Sequence, residues 1–472
     1  MILQSRHRLG TDRPLPLADI RPGNSFLHYA VAPGENAPVS KLGGWFAGLF
    51  GFWCMNPYPS INFGNNTAIT IGNILTWLSI FVVFNRSCRN KPYFLFIVLM
   101  VPLWIATMSS ALIGVGDPSL CVKVDTMRTM AYATMIAAQF LIPNYFLEIL
   151  TGIAIACILH FMVGMYQLYA FASHVFPLEW LYNNKSFLSV QDMTKTIAKY
   201  IQRPFGIFPE PSAMSSSLAP WVIVWIGEMC GVIRFVRAPS LLQRALFACG
   251  AMGSLMLIIM SRSGHTAVTL VPVIIFALVW LKNCRATPKN VAIIVVGLII
   301  SGFVISMGID VMSERLGGKG NVGNSSWDDR FNSLIAGFKM VVHHGFQTMV
   351  FGVGPGNTSP ILYELSNYEA VWSVILTYIY ETGIVGLIAC VWVGAYVVQV
   401  WIKTRFNIVL ASLVFVWFIG ILLTTSYDQL QPIWIALGWI TVWPTVIANP
   451  VKATADQQQG FPASYSRGTH GN

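Results

Sequence analysis

The chain has 472 residues, of which 55% are hydrophobic and only 10% charged, and its mean hydropathy is +0.62. A soluble domain carries roughly 25% charged residues, and a water-soluble globule of this length could not cover itself with so few, which excludes an ordinary cytosolic enzyme. Disorder and coiled coils need high charge or heptad patterning, and long unbroken apolar runs replace the short alternating strands of a membrane β-barrel. The composition is that of an all-α polytopic integral membrane protein.

The net charge of +10 comes from basic residues spread through short connections, not gathered in one patch, so nucleic acid is not an expected partner. The eight cysteines form no CxxC or Cys/His pattern, and Cys157, Cys230, Cys249 and Cys390 lie inside apolar runs, where the thiol behaves as a small hydrophobe. Neither a disulfide framework nor a zinc site is expected, and no other metal or cofactor motif stands out.

Residues 1–40 are polar, Pro-rich and basic (Arg6, Arg8, Arg13, Arg21), without the apolar core of a signal peptide, and read as a flexible cytoplasmic tail. A transmembrane helical domain is expected over 41–449, followed by a second cytoplasmic tail over 450–472. Apolar runs fall at about 42–57, 67–84, 93–114, 127–142, 147–173, 217–233, 245–260, 265–281, 290–308, 384–402, 407–424 and 432–448. Several have the ~20-residue length that spans a ~30 Å hydrocarbon core. With about twelve spans, Arg86, Arg89 and Lys91, then Arg234, Arg237 and Arg244, then Lys282, Arg285 and Lys289, then Lys403 and Arg405 all fall on the side of the two tails, as the positive-inside rule requires.

The same parity puts two long polar segments, about 174–216 and 309–369, on the outer face, and long loops in a compact bundle are usually functional. The first ends in Arg203-Pro204-Phe205-Gly206-Ile207-Phe208-Pro209-Glu210-Pro211-Ser212, a rigid turn before a helix expected at 217. It could hold Arg203 and Glu210 over the bundle as a reactive pair, or anchor the loop through a surface ion pair. Arg262 sits in the tight turn Ser261-Arg262-Ser263-Gly264-His265, placed either to snorkel to headgroups or to grip a phosphate with its fork.

The second loop supplies Arg315, Asp328-Asp329-Arg330, His343-His344, Gly352-Val353-Gly354-Pro355-Gly356-Asn357 and Glu369. Phe331, Leu334, Ile335, Phe338, Val341 and Val342 recur at helical intervals, so an amphipathic helix opened by Arg330 and closed by the histidines should lie on the outer interface. Those histidines are dipole partners of the helix end or candidate bases, with Glu369 a third base candidate. The Gly-rich run looks like a phosphate cradle but lacks the Lys-Ser/Thr of a P-loop. Several cations and a carboxylate at the membrane surface suit a substrate with an anionic head and a lipid tail: cations neutralise a leaving diphosphate, and a carboxylate such as Glu210 takes a proton from an attacking hydroxyl. No Asp-x-Asp motif marks a metal–nucleotide-sugar site.

The order RPFGIFPEPS, SRSG, DDRFNSLIAGFKMVVHHGFQTMVFGVGPGN and YETGIVGL over roughly residues 200–390 resembles the O-antigen ligase and polymerase family. The resemblance implies a glycosyltransferase-C-like helical fold in the bacterial inner membrane. It implies metal-independent transfer of a glycan from an undecaprenyl diphosphate carrier to an acceptor at the periplasmic face, with no cofactor. Arg203 and Arg330 match family positions that contact the diphosphate, Arg262 matches the SRxG turn, and Arg315 belongs to the same cationic set. A chain-length regulator or export protein is an implied partner. Trp372-Ser373 stand near the place of the ligase His-Asn pair, and the FPEPS turn resembles exopolysaccharide polymerases, so the polymerase branch is expected. The alternatives are an O-antigen ligase acting on lipid A–core, and a polysaccharide or lipid transporter. A transporter should show broken helices and buried midplane charge; Glu148, Glu228 and Glu381 each stand near an expected span end.

A reporter fused near residue 286 should be cytoplasmic, and fusions near 190 and 340 periplasmic. Activity of a periplasm-dependent reporter at both 286 and 340 would remove the twelve-span topology.

Overall fold

The computed structural model describes residues 41–58, 60–62, 68–87, 94–176, 178–182, 203–283, 326–368, 370–404, 407–423 and 430–447. Arg315, Glu369, both tails and the apolar run at 290–308 lie outside the described residues. Helices dominate: α1 (Lys41–Cys54), α2 (Ile71–Ser87), α3 (Phe94–Ile113), α4 (Pro118–Ala172), α5 (Pro211–Met229), α6 (Leu241–Met260), α7 (His265–Asn283), α8 (Ser326–His343), α9 (Phe346–Phe351), α10 (Thr358–Ser366), α11 (Val374–Lys403), α12 (Ile408–Leu423) and α13 (Gln431–Val446). Between α1 and α2 a small antiparallel hairpin pairs β1 (Ser60–Asn62) with β2 (Ala68–Thr70), Ser60 opposite Thr70. Every apolar run within the described residues falls on a helix, and α4, α6 and α11 are long and apolar enough to cross a membrane. The chain is thus an all-α membrane protein.

The sequence separates 127–142 from 147–173, whereas the structure joins them in α4, 55 residues long. Asp117 caps its start, accepting from the Ser119 N–H at 2.8 Å, and Pro118 occupies the first turn, where a missing N–H costs nothing. A straight helix of that length would measure about 80 Å, far more than a bilayer core. It is broken instead at Tyr145 (φ −128°), two residues after Pro143, whose ring cannot continue the hydrogen-bond ladder. Before the break, Thr134 accepts from Gln431 on α13; after it, His160 bonds the Met55 carbonyl at the end of α1. Gly72 packs against both Gln431 and the Trp53 carbonyl, so Thr134 and His160 lie at one level and the chain doubles back at the kink. The second limb then presses on α1 so closely that a Cβ on Gly152 would stand 1.9 Å from the Gly48 carbonyl oxygen. Small residues let helices approach in this way where lipid supplies no hydrophobic drive.

Trp221, Trp225, Trp439 and Trp443 are fully buried in the core between α5, α6 and α13, with Trp221 and Trp439 edge to face at 5.9 Å. One end of the bundle carries the kink of α4, the end of α5 and the start of α6. The other carries the starts of α5, α7, α11 and α13.

At that second end α11 breaks at Gly383 (φ +64°). The break releases the carbonyls of Tyr380 and Glu381, and the Gly-rich run takes them: Val353 N–H donates to Tyr380 O and Gly354 N–H to Glu381 O, each at 3.1 Å. Gly356 N–H reaches the Glu381 carboxylate at 2.9 Å, and Gly116 N–H donates to Val353 O. Gly352 (φ +79°) is packed against the Glu381 peptide so that a Cβ would stand 2.1 Å from its oxygen. The run is therefore a structural clasp and not the phosphate cradle its glycines resemble, because the N–H groups of Val353, Gly354 and Gly356 are spent on α11. Glu381 also forms a buried ion pair with Arg128 of α4, whose guanidinium lies 5.4 Å from the Tyr378 ring centre.

Three further boundaries differ from the sequence reading, and the largest shift is at α11, which starts at Val374, ten residues before the run at 384. α5 starts at Pro211, six residues before 217, because Pro is favoured in a first helical turn. α8 starts at Ser326, so Arg330 lies on its second turn and does not open it, while His343 ends it as expected.

Removing one partner of a buried ion pair leaves a charge in low dielectric, costing about 3–5 kcal/mol. Glu381→Ala should therefore lower the thermal stability of the detergent-solubilised protein sharply, whereas Arg128→Met with Glu381→Met should cost less than either single change. Equal stability of the single variant and the parent, measured by thermal melts, would show the pair to be dispensable.

Candidate functional site

The turn from Arg203 to Glu210 is held from below by the second limb of α4. Gln167 accepts from the N–H groups of Phe205 (3.0 Å) and Gly206 (2.9 Å) and donates to the Gly206 carbonyl at 2.8 Å. Tyr182 donates its hydroxyl to that same carbonyl, and burial pushes the phenol well above its ordinary range, so it remains a donor. Two turns earlier on α4, His160 accepts from the Ile207 N–H at 3.1 Å through Nδ1, while its Nε2 meets the Met55 carbonyl at 3.0 Å. That pairing fixes the tautomer: Nε2 carries the proton. Phe205 and Phe208 are wholly buried beneath the turn, and Gly206 takes a left-handed conformation (φ +56°) against His160. Backbone polar groups in a buried turn must find partners, and here two side chains and a phenol supply them.

Arg203 is half-buried at the start of this turn and donates through Nε to the Ser261 carbonyl at 2.9 Å. Ser261 precedes Arg262, so the two arginine-bearing turns meet. Ser215 on α5 bonds the Ser261 hydroxyl at 2.9 Å and ties the first turns of α5 to the same Arg262 turn. Glu210 is buried, extended (φ −160°), and occupies the N-cap position of α5; its backbone carbonyl accepts from Met214 N–H. Its carboxylate accepts from the Ser212 hydroxyl and makes no capping bond to the helix. Arg203, Glu210 and Arg262 thus belong to one corner, built from the end of α4, the start of α5 and the α6–α7 turn.

Arg262 has φ +50°, a left-handed conformation that L-residues with a Cβ adopt at a cost of roughly 1–2 kcal/mol. Around it, Ser263 N–H donates to Ser261 Oγ (3.3 Å) and Ser263 Oγ pairs with buried His265 Nδ1 at 3.0 Å, so the turn is over-determined by its neighbours. Glycine would sit there without strain.

The remaining sequence candidates are placed elsewhere. His343 is exposed and its ring stands edge-on to that of His344, 5.5 Å away. His344 bonds the Met340 carbonyl at 2.9 Å, and the adjoining Gln347 donates to the end of α3 through the Ile113 carbonyl. Their helix packs on α10, α11 and α9, and its described contacts do not join the corner formed by Arg203 and Arg262. Arg330 lies in α8 by its backbone. Arg315 and Glu369 fall outside the described residues. His160, Gln167 and Tyr182 were not singled out in the sequence; the first two sit within an apolar run where a helix-facing polar residue is the available signal. Among the described residues no group of three or more His, Cys, Asp or Glu side chains is arranged to hold a metal ion.

Comparison with protein-family models, with curated proteins and with solved structures finds no match to this chain.

If the Arg262 side chain serves a ligand and not the fold, Arg262→Gly should leave the melting temperature unchanged or slightly raised while product formation collapses. A marked drop in melting temperature would identify the residue as a structural anchor.

Proposed function

We propose that the chain is a glycosyltransferase that polymerises undecaprenyl-diphosphate-linked oligosaccharide repeat units for exopolysaccharide or O-antigen synthesis. In this reading it is a twelve-span protein of the bacterial inner membrane with a glycosyltransferase-C-like fold, and the corner at Arg203 faces the periplasm. The observation that carries the reading is the pair of ties to the turn of Arg262, one from Arg203 and one from Ser215 on the helix whose N-cap position Glu210 occupies. It holds two cations and a buried carboxylate at one end of an apolar bundle, where a substrate with a lipid tail and a charged head would arrive.

The transfer needs few parts. A hydroxyl of the acceptor sugar attacks the anomeric carbon of the donor, the bond from that carbon to the diphosphate oxygen breaks, and undecaprenyl diphosphate leaves. Arg203 and Arg262 stabilise the charge gathering on the diphosphate, with Arg330 and Arg315 joining them from the second loop. Glu210 accepts the hydroxyl proton, and Ser212 orients the carboxylate that receives it. Glu369 is the base candidate to which the role passes if Glu210 only positions the arginines; His343 and His344 would serve only if their helix met the corner with substrate bound. A chain-length regulator or export protein would receive the product.

Ligation to lipid A–core uses the same donor chemistry and differs in the acceptor. Transport draws on the broken helix α11 and its buried charge, but Glu381 is bonded by Arg128, Gly356 and, through its carbonyl, Ser110 and Gly354, which is the pattern of a fixed joint.

Purified protein supplied with lipid-linked repeat units separates these roles. Arg203→Ala should lower turnover by about 3 kcal/mol in barrier terms, with poor rescue by lysine, which lacks the bidentate fork. Glu210→Gln should still bind the repeat units yet form almost no polymer. Turnover by that variant within a few-fold of the parent would move the base elsewhere, and near-normal polymer from both variants would remove this corner from the reaction.

A further inference from the structure

The end of the bundle opposite the Arg203 corner carries a second cationic cluster that the proposed reaction does not use. The 230–240 connection crosses it through a turn at Gly231 and a single bridge at Phe235. Phe235 turns inward against Phe146 (ring centres 5.4 Å apart) and bridges to Ile447, so its neighbours Arg234 and Val236 turn outward, both exposed. Arg237 comes back to the kink of α4, where Nη2 meets the Glu148 carboxylate at 2.5 Å and the guanidinium lies over the Phe146 ring. On the next helix, Gln243 donates to Thr151, just past the kink, and Arg244 stands 3.9 Å from Glu228 with more than half its side chain exposed. The start of α1 arrives at the same place, since Gly44 packs on the Glu148 side chain and exposed Lys41 lies one turn before it.

The charges do not cancel. Glu148 and Glu228 are matched by Arg237 and Arg244, which leaves Lys41 and Arg234 in excess, neither within ion-pair distance of a carboxylate among the described residues. The cations are edged by apolar side chains that stand out from the bundle: Leu42 and Trp45 on α1, Leu241 and Leu242 on α6, with exposures of 81%, 76%, 86% and 70%. Exposed leucines flanking a free phosphate site would be a liability; beside a bilayer they lie among acyl chains while the cations reach the headgroups. Trp45 has the amphipathic ring that settles at headgroup level.

We propose that this corner, between the start of α1, the kink of α4 and the start of α6, is a binding site for an anionic phospholipid. Lys41 and Arg234 hold the phosphodiester and the leucines contact its chains. The Arg237–Glu148 pair is the scaffold that keeps the two cations together, and it is already neutral. The site depends on the membrane character of the chain and is independent of the transfer reaction.

Native mass spectrometry of the full chain, released from neutral detergent with equimolar phosphatidylglycerol and phosphatidylcholine, tests it. The parent should retain phosphatidylglycerol preferentially. Each basic residue at an anionic lipid surface contributes roughly a five-fold preference, so K41Q with R234Q should cut the retained ratio roughly twenty-fold. Both side chains are exposed, so the melting temperature should not move, and K41R with R234K should keep the parent's ratio. Raising the salt to 0.5 M should erode the parent's preference through screening, a measurement that needs no variant. Equal retention of the two lipids by the parent, an undiminished ratio in K41Q/R234Q, or full displacement of the lipid by millimolar inorganic phosphate would each overturn the proposal.

Discussion

A guanidinium and a carboxylate buried in an apolar bundle must meet each other or destabilise everything around them. Arg128 and Glu381 impose that requirement here, and much of the packing where α11 breaks follows from it. Glu381 can face Arg128 only where α11 is broken, and the break at Gly383 exposes two carbonyls that then need donors. The Gly-rich run supplies them because its glycines allow the backbone to lie directly on the broken strand of carbonyls. The same run carries Asn357, whose amide oxygen accepts from the Asp117 N–H and so fastens the start of α4. One ion pair thereby determines how α3, α4 and α11 meet.

Elsewhere the bundle is cross-linked by neutral polar groups. Gln431 accepts from Thr70 and donates to Thr76 and Thr134, joining α2, α4 and α13 through a single amide. Gln167 does the same for the turn of Arg203, and His160 for the residue after Gly206. A neutral amide carries donors and acceptors without the desolvation cost of a charge. The cations of the Arg203 and Arg262 corner are thus supported by a frame that does not compete with them for an anion.

Composition alone made the helical membrane class legible, and the apolar runs located most of the described helices, though not α9 and α10, which lie in the polar 309–369 segment. The rigid character of the 203–212 turn was legible too, since Pro204, Pro209 and Pro211 restrict it locally. What holds that turn was not: Gln167 and His160 lie some 40 residues upstream, and nothing in their spacing says which segment folds over them. The clasp role of 352–357 was not legible, because glycines that permit close backbone approach to a phosphate equally permit close approach to another backbone. The kink in α4 was read as a gap between two runs, because Pro143 and Asn144 look like a loop when the packing that bends a helix back is out of view. Arg128 passed unnoticed for a related reason, its partner being 253 residues away.

That separation also matters while the protein is being made. At ordinary elongation rates of roughly 5–20 residues per second, Arg128 leaves the ribosome between about ten and fifty seconds before Glu381 exists. During that interval a cation belongs to a hydrophobic helix whose permanent counter-charge has yet to be translated. Asp125 stands one turn earlier on the same face of the helix, close enough to Arg128 to feel its charge, and in the finished fold it is buried with Oδ1 lacking a hydrogen-bond partner. A carboxylate at i, i+3 from an arginine is a ready local partner. Asp125 is thus the nearest opposite charge that the nascent α4 carries with it before α11 arrives.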